Sequence, residues 1–219
     1  MSGIPSAFRC LVSGDRVRVR SGRGGWRPFV VGDGVRSAPT VAAVCASLLG
    51  AHADRTQRLD VRARAALVAA RVALDGIASA RRTPATLRPA FLWVAAEDGC
   101  DSADRSFWAT AEDAGGAHAS PQRFVATLPS SVAGEIALIL GLRGPSIVTT
   151  GSAPPSGGVD PAALDVATGA ADVLLCVSIF APASHCAAEA RALAVAVPLA
   201  PRRATSPGRR SPRGRADGR

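Results

Sequence analysis

The sequence predicts an α/β fold in which helices are layered on both faces of a mostly parallel sheet. Phe91 to Ala96 (FLWVAA) and Asp172 to Phe180 (DVLLCVSIF) are continuous apolar runs of strand length, the pattern of strands covered on both faces. Asp60 to Ala80 has helical periodicity, and a third, β-branched strand runs from Ser146 to Thr150. Strands alternating with helices imply right-handed crossovers between parallel neighbours.

Composition fits such an architecture. At 219 residues and 47% apolar, the chain is long enough for one domain with a sizeable core. An aromatic fraction of 4% assigns that core to Ala, Val, Leu and Ile. The net charge of +9 is unevenly spread. All 26 basic residues are Arg, and the seven Arg and one Asp from Pro201 to Arg219 supply +6 of it. The other 200 residues carry about +3, an ordinary surface, so nucleic acid is not expected as a partner. Arg without Lys reads as coding bias rather than as a phosphate-contact pattern.

Cys10, Cys45, Cys100, Cys176 and Cys186 have no CxxC spacing, and His52, His118 and His185 stand apart, so neither a metal nor a cofactor is expected. Buried thiols in a reducing compartment are the simpler reading. No apolar run reaches membrane-spanning length and no signal-peptide order opens the chain, so the expectation is a soluble cytoplasmic protein without a membrane partner.

The chain divides into a poorly defined N-terminal segment (1–38), a domain (39–197) and a disordered Arg/Pro/Gly/Ser-rich tail (198–219). Arg16 to Arg20 (RVRVR) alternates like a strand, Phe29 to Val31 resembles another, and Gly22, Gly24 and Gly25 break the chain between them. Pro39 to Leu49 reads as a short helix. In the long helix that follows, Leu59, Ala63, Ala66, Leu67, Ala70, Leu74 and Ile77 form one apolar stripe. Arg62, Arg64 and Arg71 lie off the stripe and read as solvated. After Phe91 to Ala96, the adjacent carboxylates Glu97 and Asp98 read as a solvated loop pair, and Ser102 caps a helix containing Phe107 and Trp108. A Pro-bounded loop then leads into a helix from Ser131 to Leu142, a Gly144-Pro145 turn and the strand Ser146 to Thr150. A helix from about Asp160 to Thr168 precedes the last strand.

Several of these segments, in order, resemble the N-terminal half of a β-ketoacyl synthase of fatty-acid and polyketide assembly. Arg58-Leu59-Asp60 with the Ala-rich helix is similar to the family's first long helix, and Phe91 to Gly99 to the strand that ends in a glycine turn. Asp104 to Trp108 resembles the short helix with its aromatic. Ser120-Pro121, Phe124, Leu128-Pro129-Ser130, Ala133-Gly134, Gly141-Leu142 and Gly144-Pro145 resemble the loop, helix and turn that approach the nucleophile, and Ala170 and Asp172 the segment beyond it. The resemblance covers about residues 55 to 180 and implies one thiolase-like α/β/α half, the N-terminal lobe of a ketosynthase. It is nearest the stand-alone ketosynthase-like N-terminal domains.

In that family, the strand after Gly-Pro delivers a cysteine to a turn at a helix N-terminus, where the helix dipole and backbone amides favour the thiolate and hold an oxyanion. Here the residues after Thr150 are Gly151, Ser152, Ala153, Pro154, Pro155, Ser156, Gly157 and Gly158. Counting forward from Gly144 puts Ala153 at the nucleophile position, and counting back from Leu164 puts Gly157 there. Neither side chain is nucleophilic. Cys176 lies within an apolar strand, as a buried inert thiol. Ser152 and Ser156 are the hydroxyls that remain, and a serine needs an adjacent base. The two histidines and the lysine that serve active members belong to the family's C-terminal half, and this chain has no Lys.

The resemblance therefore implies a non-catalytic subunit, akin to the chain-length-factor partners of ketosynthases, or a truncated homologue whose apolar face lacks its covering half. Its partner is another ketosynthase-like chain, in a homo- or heterodimer, with an acyl carrier protein as a further candidate. Two alternatives stay open: an acyltransferase using Ser152 or Ser156, and a binding module acting through the Arg-rich tail.

Overall fold

The computed structural model describes residues 7–13, 16–21, 24–29, 40–81, 90–97, 100–113, 115, 119–151, 159, 161–168, 170–180 and 191–199. Seven strands form one sheet: β1 (Phe8–Ser13), β2 (Arg16–Ser21), β3 (Arg27–Pro28), β4 (Ala90–Ala96), β5 (Ser146–Thr150), β6 (Val173–Phe180) and β7 (Arg191–Pro198). Their spatial order is β3-β2-β1-β7-β6-β4-β5.

The expectation of a mostly parallel sheet is corrected. β4 pairs in parallel with β5 and β6, whereas the β6–β7, β7–β1, β1–β2 and β2–β3 contacts are antiparallel. The alternating helices enforce parallel pairing only for β4, β5 and β6, the three strands that crossovers connect. β7 returns beside β6 in the opposite sense, and β1 to β3 extend the sheet as a meander from the segment that was hard to read. The second strand of that segment is Arg27–Pro28 rather than Phe29 to Val31; Val30 and Val31 lie outside the described residues.

The helices are α1 (Val41–Leu49), α2 (Ala53–Arg58), α3 (Val61–Arg81), α4 (Asp101–Asp113), α5 (Pro121–Ala126), α6 (Pro129–Leu140) and α7 (Pro161–Ala167). Local chemistry sets their ends. The Thr40 hydroxyl accepts from the Ala43 N–H at 3.1 Å, and Asp60 Oδ1 accepts from the Ala63 N–H at 2.7 Å, satisfying amides that a helix start leaves free. The stretch from Ser120 is a capped helical turn rather than a loop, with Ser120 accepting from the Arg123 N–H and Pro121 at its first position. α6 closes on Gly141 at φ 65°, and the Leu142 N–H donates back to the Ala137 carbonyl.

α1, α3 and α6 cover one sheet face and α7 lies on the other. α3 departs from a single apolar stripe. Ala65, Val68, Ala69, Val72 and Ala73 are buried along with the expected positions, because the sheet, α1 and α6 surround the helix. Its arginines are not simply solvated either. Arg62 is buried, Arg64 donates to the Gln57 and Leu59 carbonyls, and Arg71 pairs with Asp75 at 2.8 Å. The Arg-rich tail from residue 200 onward lies outside the described residues. Among the described residues, no helix is long and apolar enough to cross a membrane, and no group of three or more His, Cys, Asp and Glu could hold a metal.

Candidate functional site

Parallel registration brings the carboxyl ends of β4, β5 and β6 to one edge, the usual place for ligands in open α/β sheets. Ala96 is level with Thr150 on one side and Ile179 on the other. Backbone bonds extend this level past the strand ends. The Gly151 N–H donates to the Ala96 carbonyl at 3.2 Å, and the Glu97 N–H donates to the Ile179 carbonyl at 2.9 Å.

The approach to this edge is tightly held. Gly144 packs so closely on β4 that a Cβ there would stand 1.9 Å from the Ala90 carbonyl oxygen. The next residue, Pro145, accepts from the Leu92 N–H at 3.0 Å and sets the β5 register. β5 ends at Gly151 with φ 112°, a conformation open to glycine and strained for other residues. Ser152, Ala153, Ser156 and Gly157 follow and lie outside the described residues, as do His118, His185 and Asp98. α7, the helix beyond that turn, has only seven residues.

Among the described residues no cysteine lies on β5, and Cys100, buried between the end of β4 and the start of α4, is the one next to this edge. Cys176 is buried in mid-β6, level with Trp93. Cys10 is buried on the α3 face, where desolvation pushes its thiol strongly up. Burial also raises the Cys45 thiol, with Arg64 opposing. Glu97 is exposed at the end of β4.

Sequence reasoning missed a concavity of about 520 Å³ away from this edge, formed by α2, the start of α3, α5 and α6. Leu59, Val125 and Val132 contribute apolar lining, and Arg58 and Gln122 are also at its wall. Arg55 spans it to Glu135 with a two-pronged bond of 2.6 and 2.9 Å, which raises the arginine's pKa and ties α2 to α6. Its residues come from four elements between positions 54 and 135, so no local motif announces it.

The sequence profile described as "Beta-ketoacyl synthase, N-terminal domain" matches residues 32–197, more than half of the chain. This chain belongs to that family, and its fold is thiolase-like. None of the curated proteins matches it. Among solved structures, it is similar to AntDE:AntF, a type II PKS acyl-carrier protein in complex with its ketosynthase bound to the hexaketide. That match has 16% identity, covers 90% of this chain and 62% of the other, and has a TM-score of 0.55. The ishigamide ketosynthase/chain length factor matches with 15% identity, 90% and 62% coverage and a TM-score of 0.52. A ketosynthase in complex with its chain length factor from Xenorhabdus doucetiae aligns at 14% identity, 68% and 61% coverage and a TM-score of 0.47. The chain spans about three fifths of the length of these structures.

Proposed function

We propose that this chain is a non-catalytic, ketosynthase-like subunit of fatty-acid or polyketide-type assembly, acting in the manner of a chain length factor. One observation carries the reading. The strand that approaches the family's nucleophile is retained, registered against β4 and terminated at Gly151, while residues 151 to 158 contain no cysteine. Selection for packing alone maintains such an approach, whereas catalysis also requires a nucleophilic atom and a base to activate it. Ser152 and Ser156 have the atom, but no histidine belongs to the described part of this edge and the chain has no lysine.

The partner in this reading is a second ketosynthase-like chain. β5 is the last strand of the sheet order, pairs only with β4 among the described residues, and carries neither charge nor proline within SIVTT. Such an edge is a template for strand pairing with another chain. The structurally similar ketosynthase/chain length factor supports that class of partner, and the solved complex of a ketosynthase with an acyl-carrier protein supports a carrier as a further one. The test is to mix the purified chain with ketosynthases encoded beside it. Co-elution and a changed product length support the reading; neither effect with any of them refutes it.

A further inference from the structure

We propose that the arginine-bearing side of β2, with Arg191 at the end of β7, is a docking surface for an acidic α-helix of a partner protein. This goes beyond the reading above and holds whether or not the chain is catalytic. The alternation in RVRVR separates two faces. Phe8, Cys10, Val12, Val17 and Val19 pack toward α3, so Arg9, Arg16, Arg18 and Arg20 project from the other side. β7 follows the same rule: Ala192, Ala194 and Ala196 join the α3 core, Leu193, Val195 and Val197 pack on the other side in the core with α7, and Arg191 at the strand's start is the exposed residue on the arginine side.

The register arranges these charges in rows. Arg16 is level with Ser13 and, one strand further, Arg191; Arg9 and Arg20 are directly opposite each other. Like charges at opposed positions are unfavourable, and burial, with a smaller push from Arg20, lowers the Arg9 pKa. The four strands β1, β2, β3 and β7 contain six arginines and not one Asp or Glu, so the ladder itself has no neutralising carboxylate. Arg16, Arg18 and Arg191 are exposed. Arg20 is held over the Trp26 ring at 5.1 Å, and its Nε is buried without a hydrogen-bond acceptor among the described residues. Arg191 is likewise held over Phe180 at 5.3 Å. Stacking orders both guanidinium groups before any partner arrives.

Spacing selects the occupant. Alternate residues of β2 recur about every 6.8 Å, and helical residues four apart rise about 6.0 Å. Carboxylates at i, i+4 and i+8 therefore meet Arg16, Arg18 and Arg20 in turn, with Arg191 two strands away flanking the helix. A single-stranded nucleic acid fits less well, because it needs free aromatic faces for its bases and Arg20 occupies that of Trp26.

The test uses the full chain and a fluorescent Ala/Glu helix of about 25 residues with Glu on one face only. Binding should weaken steeply between about 0.05 and about 0.5 M salt. Arg16→Glu/Arg18→Glu/Arg191→Glu should weaken it about 100-fold, and Arg18→Glu alone about fivefold. Arg27→Glu changes net charge equally per site but is level with Val19 on the α3 side, and should leave affinity within about twofold. The thermal melt of each variant checks folding, and the single variant stands if the triple does not fold. Equal loss with Arg27→Glu, equal binding by a peptide of the same composition with Glu spread around the helix, or tighter binding by oligo-dT or phosphatidylserine vesicles overturns the proposal.

Discussion

Gly144 and Ala90 are in backbone contact: a Cβ on Gly144 would lie 1.9 Å from the Ala90 carbonyl oxygen and 2.6 Å from its carbon. The obstacle is main chain of a buried strand, which has no rotamer with which to yield. Gly144→Ala therefore costs about 3 kcal/mol, lowering the melting midpoint by about 6–12 °C for a chain of this size. A shift below about 2 °C contradicts this packing.

Ser178 gives a prediction of opposite sign. It is 1% exposed in β6, and its hydroxyl has no hydrogen-bond partner among the described residues. An unmet buried hydroxyl carries its desolvation cost without return. Ser178→Ala should stabilise the fold by about 1 kcal/mol, read as a higher urea midpoint. A lower midpoint would reveal a partner for the hydroxyl.

Alkali should destabilise the chain through Cys10. Burial raises its thiol far above the ordinary 9.0, so the folded state keeps its proton while the unfolded state releases it. Above pH 9 the unfolded state binds fewer protons, and stability falls as pH rises; below it the thiol has no effect. The slope is about 1.4 kcal/mol per pH unit for this group. Urea titrations of Cys10→Ala between about pH 9 and about pH 11 should be shallower in pH by that amount. An unchanged slope contradicts the burial.

The open edge can be blocked without disturbing β4. Pro145 and Gly151 supply the carbonyl and N–H that bond β4, so the odd-numbered residues of β5 face inward and the Val148 N–H points to the free edge. Val148→Pro should leave the monomer folded and abolish co-elution with a ketosynthase partner. Retained co-elution moves the interface elsewhere.

Much of this architecture is legible in residues alone, and the omissions have physical causes. FLWVAA and DVLLCVSIF announce β4 and β6 because both faces of those strands are covered, and Gly144-Pro145 announces the turn before β5. β7 escapes notice: five of the eight residues of RALAVAVP are alanine or valine, and only its place between β6 and β1 makes it a strand. β1 is hidden because Leu11 breaks the apolar–polar alternation of FRCLVS, and with both strands unread the sheet looks parallel. The burial of α3 beyond a single stripe follows from its neighbours rather than its own period. At the site, the missing cysteine is plain in the sequence, whereas the Gly151–Ala96 bond and the Arg55–Glu135 bridge come from tertiary placement.

The absence of catalysis is tested most directly by intact-mass measurement after incubation with malonyl and acyl carrier thioesters. A non-catalytic subunit gains no mass, alone or beside an active ketosynthase that becomes acylated in the same tube. An acyl adduct mapped to Ser152 or Ser156 would contradict it and make this chain a serine acyltransferase.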